Sequence, residues 1–249
     1  MAKRVALISG VGRTAGLGYA IAKRLAAERW DIALTYWAAY DSRMPWGAEQ
    51  EAAGLINREL VAMGSRVISI EADLQEVEAA AEVFQRARRE LGAVSALVLS
   101  HCESVASGIL NTTVESFDRH FAVNVRGSWQ LISEFARQVP KSGGHIVALT
   151  SDHTVDNLPY GASKGALDRI VVAAARELAH LKITANVVNP GPIDTGWMDE
   201  QTREELLRRQ PSGRLGTPED TANLITFLLS PAGSWINGQI LKSDGGSSA

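Results

Sequence analysis

Tyr160 and Lys164, four positions apart, are the residues in this chain best suited to acid and base chemistry. Residues four apart share one face of a helix, so the phenol and the ammonium would point the same way. A free tyrosine has a pKa of about 10, which suits proton transfer at neutral pH poorly, and a nearby cation lowers it. The pair is therefore a candidate general acid and base for an alkoxide formed from a carbonyl group. A surface tyrosine beside a solvated lysine is the alternative.

Two further polar residues stand where such a site would need them. Ser151 follows an apolar run at the predicted end of a strand, and ligands of α/β proteins bind at the carboxyl ends of parallel strands. A hydroxyl there can hydrogen-bond a substrate oxygen as charge develops, although an ordinary strand-end turn also uses serine. Asn124 lies inside a predicted helix, where either a function or a local kink would explain it.

A glycine-rich turn between the first predicted strand and the first predicted helix is a candidate phosphate-binding site. Its glycines are Gly10, Gly12, Gly16 and Gly18, and the helix opens at Leu17. Glycines let the backbone turn tightly and approach a pyrophosphate, and the helix N-terminus supplies N–H groups and partial positive charge. In this position the turn predicts a dinucleotide site, with an ordinary flexible turn as the alternative.

The residues near this turn favour NADP(H) over NAD(H). NAD sites usually carry an acid at the end of the second strand. Here that strand ends near Tyr36, and the first acid beyond it is Asp41. Arg13 offers a cation to a 2′-phosphate, unless it is only a solvated loop charge.

Short apolar runs that alternate with helical stretches must position these residues. The predicted strands are Val5–Ser9, Ile32–Tyr36, Val67–Ile70, Ala96–Ser100, Ile146–Thr150, Thr184–Val188 and Gln239–Leu241. The predicted helices are Leu17–Arg29, Glu49–Met63, Glu76–Leu91, Val114–Val139, Tyr160–Leu181 and Pro218–Leu229. Thr112 with Glu115, and Thr217 before Pro218, are expected helix caps. Most of the runs are apolar throughout, which is typical of strands covered on both faces.

This alternation requires parallel strands joined by right-handed crossovers. It predicts one Rossmann-type α/β domain over residues 1–249, a doubly wound parallel sheet of about seven strands with helices on both faces. Two stretches are predicted to be long loops that serve a ligand or decorate the surface. The first covers residues 37–48. The second, residues 190–216, is the expected substrate flap, with a short helix near 200–209.

Composition excludes several other classes of protein. Hydrophobic residues make up 45% and charged residues 21% of the chain, which is typical of a globular domain. The net charge of -3 leaves no basic surplus for nucleic acid, and no apolar run has the length of about 20 residues that a membrane span needs. Cys102, the single cysteine, fits a reducing compartment, so we expect a cytoplasmic protein without a metal site.

Together, the glycine turn, Asn124, Ser151, Tyr160 and Lys164 resemble the short-chain dehydrogenase/reductase family, whose turn pattern matches Gly12-x-x-x-Gly16-x-Gly18. The nearest members are similar to 3-oxoacyl-(acyl carrier protein) reductases. The resemblance implies that Asn124 holds a relay water and Ser151 polarises the carbonyl. It also implies that Tyr160 transfers the proton, while Lys164 binds the nicotinamide ribose and lowers the tyrosine pKa.

The same resemblance implies where the coenzyme binds. Asp73 and Leu74 would contact the adenine, although Asp73 would also serve as an N-cap for a helix starting near Gln75. The segment from Asn189 to Thr195 resembles the loop that flanks the nicotinamide. The full implied set is Gly10, Gly12, Arg13, Gly16, Leu17, Gly18, Tyr36, Asp73, Leu74, Ser100, Tyr160, Lys164, Pro190, Gly191, Ile193 and Thr195.

Two departures from the family pattern stand out. Members usually carry Asn-Asn-Ala-Gly after the fourth strand, where this chain reads Leu99-Ser100-His101-Cys102. We expect His101 to fill the gap and bond to backbone, with contact to the cofactor or substrate as the less favoured alternative. Only nine positions separate Ser151 from Tyr160, fewer than usual, which leaves open whether Ser151 reaches the substrate oxygen.

The resulting functional prediction is an NADP(H)-dependent oxidoreductase that interconverts a ketone, of 3-oxoacyl or related type, and a secondary alcohol. Its expected partners are a small carbonyl substrate, free or carrier-bound, and further copies of the chain in a tetramer or dimer. One alternative is a dehydratase or epimerase that uses the same tyrosine without net redox change. The other is a nucleotide-sensing protein without catalysis.

Overall fold

Strands and helices alternate through residues 4–249, which are the residues that this computed structural model describes. The strands are β1 Val5–Ser9, β2 Asp31–Tyr36, β3 Val67–Glu71, β4 Ala96–Leu99, β5 Gly144–Leu149, β6 Ile183–Asn189 and β7 Ile240–Lys242. The helices are α1 Leu17–Ala27, α2 Ala38–Arg43, α3 Ala52–Ala62, α4 Ala79–Glu90, α5 Val114–His120, α6 Ser128–Gln138, α7 Leu158–Glu177, α8 Glu200–Arg209 and α9 Pro218–Leu228.

The seven strands form one parallel sheet in the order β3-β2-β1-β4-β5-β6-β7. This order confirms the predicted doubly wound fold. Because the winding direction reverses between β1 and β4, their carboxyl ends open a crevice at the edge of the sheet. The predicted chemical residues at the ends of β1, β4 and β5 therefore lie on one side of the molecule.

Helices cover both faces of the sheet, which explains why the strands are apolar throughout. All five residues of β1 are buried. Ala6 and Ile8 join the core under α1, α3 and α9, whereas Val5 and Leu7 join the core under α4, α6 and α7. Because successive side chains of a strand point to opposite faces of the sheet, β1 contributes to two separate cores, one on each face.

The stretch predicted as a single long helix is divided into three parts. Between α5 and α6 the chain makes a π-helical segment, Phe121–Gly127, with Asn124 at its centre. A π-helical turn takes an extra residue, and such turns occur mostly as single wide turns in α-helices. Asn124 therefore marks a local widening, one of the two explanations that the sequence left open.

Several helix boundaries differ from the predicted ones because side chains outside the periodic pattern decide them. Thr113 caps α5 by accepting a hydrogen bond from Ser116, so the expected cap at Thr112 is wrong by one residue. Thr217 does cap α9, and with Asp220 it forms a complete capping box.

The predicted loop at residues 37–48 contains α2. We term residues 37–49 the strap.

No helix within residues 4–249 combines the length and the apolar character that a membrane crossing demands.

Gly10→Ala should lower the free energy of unfolding by about 2 kcal/mol or more. Gly10 has a φ of +74°, and an added Cβ would lie 2.6 Å from the Cα of His101. Urea denaturation of both proteins measures the difference. Gly165→Ala on α7 is the matched control, because an added Cβ there meets open space among the described residues. The Gly165→Ala variant should be as stable as wild type or more stable by up to about 1 kcal/mol. Equal stability of the two variants would contradict the requirement for glycine at position 10.

Candidate active site

The glycine turn holds the end of β1 close to the end of β4. An added Cβ on Gly10 would strike the backbone of His101, and one on Gly18 would lie 2.9 Å from the carbonyl oxygen of Gly10. Only glycine permits these two approaches, of strand to strand and of helix to strand. The turn therefore brings the N-terminus of α1 to the crevice between β1 and β4.

The N-terminus of α1 is suited to an anion. Its N-cap is Gly16, and among the described residues no side chain caps it. The first N–H groups of the helix, from Leu17 onward, consequently point toward the crevice with the positive end of the helix dipole. This arrangement fits a coenzyme pyrophosphate, which the glycine pattern predicts.

The strap lies over the same turn and carries its own carboxylates to it. Glu49 accepts hydrogen bonds from the backbone N–H of Thr14 at 2.8 Å and from its hydroxyl at 2.9 Å. Asp41 accepts a hydrogen bond from the Trp46 indole at 3.0 Å, and its carboxylate occupies the space where Gly12 lacks a side chain. The strap thus contacts the turn that is predicted to bind the ligand.

Arg13 joins three parts of the site. Its guanidinium lies 4.6 Å from the centre of the Trp46 ring in the strap, and it donates a hydrogen bond to the carbonyl oxygen of Thr195. A stacked arginine keeps its charge and several donors. The loop that carries Thr195 is thereby held against the glycine turn.

Tyr160, Ser151 and Lys164 meet at the carboxyl end of β5. The Ser151 side chain lies close enough to the Tyr160 phenol to influence its pKa. The Lys164 ammonium lies 5.6 Å from the centre of the Tyr160 ring and donates a hydrogen bond of 2.9 Å to the carbonyl oxygen of Leu149. The short connection between Ser151 and Tyr160 thus still lets the serine reach the phenol.

The direction of the Tyr160 pKa differs from the one expected from its spacing to Lys164. Burial raises the pKa of Tyr160 above its ordinary value, and the nearby Ser151 hydroxyl opposes that rise. Burial also lowers the pKa of Lys164, which is only 3% exposed. Desolvation disfavours the charged form of either group. This cost cannot be inferred from the four-residue spacing of Tyr160 and Lys164. The phenol is therefore held in its protonated form.

Asn124 is completely buried and uses its whole amide group. Its oxygen accepts from the backbone N–H of Glu103 at 2.7 Å, and its NH₂ donates to the Glu103 carbonyl at 2.9 Å. The NH₂ also donates to the Ser163 hydroxyl at 2.9 Å, which in turn donates to the carbonyl of Tyr160 at 2.7 Å. The wide π-helical turn thus links the loop after β4 to α7.

His101 fills the gap left by the missing family asparagine, as the favoured interpretation expected. Its Nδ1 is hydrogen-bonded to the Ser9 hydroxyl at 2.6 Å, and its Nε2 lies 3.2 Å from both the Val123 carbonyl and the Ser128 hydroxyl. Burial lowers the pKa of His101 to about 3, so the ring is neutral at pH 7. It connects the ends of β1 and β4 to the π-helical turn.

The other predicted coenzyme residues lie at or after the carboxyl ends of β2, β3, β4 and β6. Tyr36 ends β2, and Ser100 follows β4 and donates its backbone N–H to Ser9. Asp73 accepts from the backbone N–H of Gln75 at 2.9 Å, which closes a turn rather than capping a helix, because α4 begins only at Ala79. The remaining members lie in two loops that follow β3 and β6: buried Leu74, then Pro190, Gly191, buried Ile193 and Thr195.

Three residues that sequence reasoning missed face this cluster from the strap and the loop after β4. Arg43 and Glu103 form a two-armed ion pair with N–O distances of 3.1 and 2.9 Å. Tyr40 lies beside Cys102, and burial raises the pKa of Tyr40 above the ordinary value. The one available signal was the mixture of aromatic and charged residues in the strap, which is unusual for a purely solvated loop.

Within residues 4–249 no group of three or more His, Cys, Asp or Glu side chains is placed to hold a metal ion.

A parallel sheet with a glycine turn at its crevice defines a dinucleotide-binding, Rossmann-type protein. A family model described as "Enoyl-(Acyl carrier protein) reductase" matches residues 10–248. The chain belongs to the short-chain dehydrogenase/reductase family of oxidoreductases.

Relatives and solved structures cover essentially the whole chain. It is 36% identical over 251 residues to the uncharacterized oxidoreductase YjdA of Bacillus subtilis, with 98% of this chain and 96% of that protein covered. It is 32% identical over 264 residues to NADPH-dependent aldehyde reductase 2, chloroplastic, of Arabidopsis thaliana, with 99% and 94% covered. A short chain dehydrogenase from Burkholderia cenocepacia, crystallised with NADP, is 32% identical, with a TM-score of 0.88 and coverage of 100% and 99%.

His101→Gln should weaken the dependence of stability on pH. The folded-state pKa of about 3 lies below the ordinary value of 6.5, so His101 stabilises above about pH 6.5 and loses that contribution toward pH 3. Wild type should lose about 2 kcal/mol more than the variant between about pH 7 and about pH 5. Urea unfolding at both values measures this, with the exposed His180→Gln as control. A pH dependence that is the same in His101→Gln and wild type would contradict a buried, neutral His101.

Proposed function

We propose that this chain is an NADP(H)-dependent oxidoreductase that interconverts a ketone, of 3-oxoacyl or related type, and the corresponding secondary alcohol. The observation that carries the proposal is the cluster at the end of β5, where Ser151 and Lys164 face the Tyr160 phenol. The cluster lies beside a crevice whose glycine turn fits a dinucleotide. A module that only sensed nucleotides would have no need of this proton donor.

The arrangement of the cluster supports reduction in which Tyr160 acts as general acid. A reduced nicotinamide supplies hydride to the carbonyl carbon when it is bound. Tyr160 holds the proton that the resulting alkoxide needs, and its raised pKa keeps that proton in place at neutral pH. Ser151, at the same phenol, would polarise the carbonyl oxygen. As the phenol gives up its proton, the nearby Lys164 ammonium would stabilise the phenolate.

The residues around the turn support NADP(H) as the coenzyme. Gly12, Gly16 and the N-terminus of α1 would hold the pyrophosphate, and Lys164 would bind the nicotinamide ribose. Arg13 would pair with the 2′-phosphate, and a phosphate at the turn would compete with Glu49 for the N–H of Thr14. The NADP complex of the Burkholderia relative and the printed name of the Arabidopsis reductase support the same choice.

Tyr160→Phe should reduce NADPH oxidation with a panel of ketones by about 10²–10⁴-fold, because it removes the proton donor and little else. NADPH affinity, measured by calorimetry, should stay within about twofold, since the ring and Lys164 remain. Tyr19→Phe, an α1 tyrosine whose hydroxyl bonds Glu59, is the matched control and should keep wild-type activity. Unchanged turnover in Tyr160→Phe would overturn the assigned chemistry.

Arg13→Ala should weaken NADPH binding by about tenfold or more and leave NADH binding within about twofold, because only NADPH offers a second anion to the guanidinium. Thermal shifts with each coenzyme at matched concentrations report the two affinities. Arg24→Ala removes an α1 arginine that pairs with Glu28 and serves as control. Equal weakening of both coenzymes in Arg13→Ala would refute the role given to Arg13.

A further inference from the structure

The ion pair between Arg43 and Glu103 is the strongest polar feature of the site that the proposed chemistry does not use. Arg43 comes from α2 in the strap, and Glu103 from the irregular chain that follows β4. The Glu103 side chain is only 4% exposed, whereas that of Arg43 is 39% exposed. Both oxygens of the carboxylate accept from the guanidinium, at 3.1 and 2.9 Å. This two-point geometry fixes the orientation of the carboxylate as well as its distance.

A buried carboxylate in this position restricts its own main chain. Without Arg43 the Glu103 charge would be left nearly without water, so the side chain would move toward solvent and carry the backbone with it. The segment around Glu103 has no regular secondary structure that would resist such a movement. The bond from Arg43 is therefore one of the restraints on this part of the loop.

The Glu103 main chain is the group that holds Asn124. Its N–H and its carbonyl oxygen make two of the three hydrogen bonds of the Asn124 amide. The third runs through Ser163 to the carbonyl of Tyr160. A displacement at Glu103 would consequently rotate or free the Asn124 amide, and the shift would reach the α7 turn that bears Tyr160.

The strap end of the pair is anchored to the glycine turn. Asp41, two residues before Arg43, occupies the space at Gly12, and Trp46 binds Asp41 from one side and stacks with Arg13 on the other. Arg43 therefore reaches Glu103 from a segment that contacts the predicted phosphate site. One ion pair joins the coenzyme end of the crevice to the proton-transfer end.

We propose that Arg43 and Glu103 are positioning residues for the reaction, and that they act on Asn124 through the main chain of Glu103. This inference rests on the proposed function, because the family resemblance makes Asn124 the holder of a relay water for that proton transfer. The pair touches neither the reacting atoms nor the phenol oxygen. Its effect should therefore fall on turnover rather than on substrate affinity, and should vanish once Asn124 is removed.

The test combines Glu103→Gln with Asn124→Ala in a double-mutant cycle. Glu103→Gln should lower kcat for ketone reduction by about tenfold or more, with KM for the ketone within about twofold. The double variant Glu103→Gln/Asn124→Ala should be no slower than Asn124→Ala alone, because residues that act as a unit are not additive. Arg86→Gln, which breaks an exposed ion pair with Glu90 on α4, is the control and should keep wild-type kcat.

Hydrogen exchange supplies a measurement that does not depend on activity. In wild type the Glu103 N–H is held by the buried Asn124 amide, so the segment 101–106 should exchange slowly. In Glu103→Gln its exchange should rise by about tenfold or more, while that of β5 stays unchanged. If Glu103→Gln does not fold, Arg43→Lys, which keeps the charge but loses the two-armed fork, should show the same changes at smaller size.

The possible results separate this inference from the proposed function. Additive losses in the cycle, wild-type kcat in Glu103→Gln, or unchanged exchange of 101–106 would each overturn the positioning role. A wild-type protein that reduces no ketone would overturn the proposed function instead. The exchange measurement would still decide whether the ion pair holds the Asn124 loop.

Discussion

A buried ammonium at the end of β5 is the interaction on which the active-site arrangement depends. Lys164 is only 3% exposed, and its hydrogen bond to Leu149 reaches a carbonyl at the carboxyl end of a parallel strand. Such a cation needs a polar partner. The end of a strand is one of the few places in an α/β core where a backbone carbonyl is left for it to bind. This bond holds α7 at the edge of the sheet. Tyr160, one turn earlier, is then brought to Ser151, and Ser163 is brought to Asn124.

The same burial shapes the electrostatics of the whole cluster. Desolvation raises the pKa of Tyr160, lowers that of His101 and raises that of Cys102. Each shift favours the neutral form of the group. A phenol that stays protonated suits the delivery of a proton to an alkoxide. A neutral histidine suits a structural link between strands. Burial thus favours the uncharged form of each of these groups.

The strap gives this chain a feature that the core of the fold does not require. Its carboxylates at Asp41 and Glu49 contact the glycine turn, and Arg43 crosses to Glu103 beyond the crevice. The strap therefore links the glycine turn to the loop that holds Asn124, through ordinary ion pairs and hydrogen bonds.

The sequence by itself determined the strands, the two-faced core and the glycine turn, because those depend on local periodicity and on backbone freedom at Gly10 and Gly18. It also identified Ser151, Tyr160 and Lys164 as candidates, since they stand beside a predicted strand end or within one helical turn. Only the tertiary structure decided the π-helical turn at Asn124, the contacts of the strap and the direction of the Tyr160 pKa. Arg43 and Glu103 are separated by 60 positions, and desolvation depends on everything packed around a group. Neither the Arg43–Glu103 ion pair nor the desolvation of Tyr160 can therefore be predicted from the neighbouring residues in the sequence.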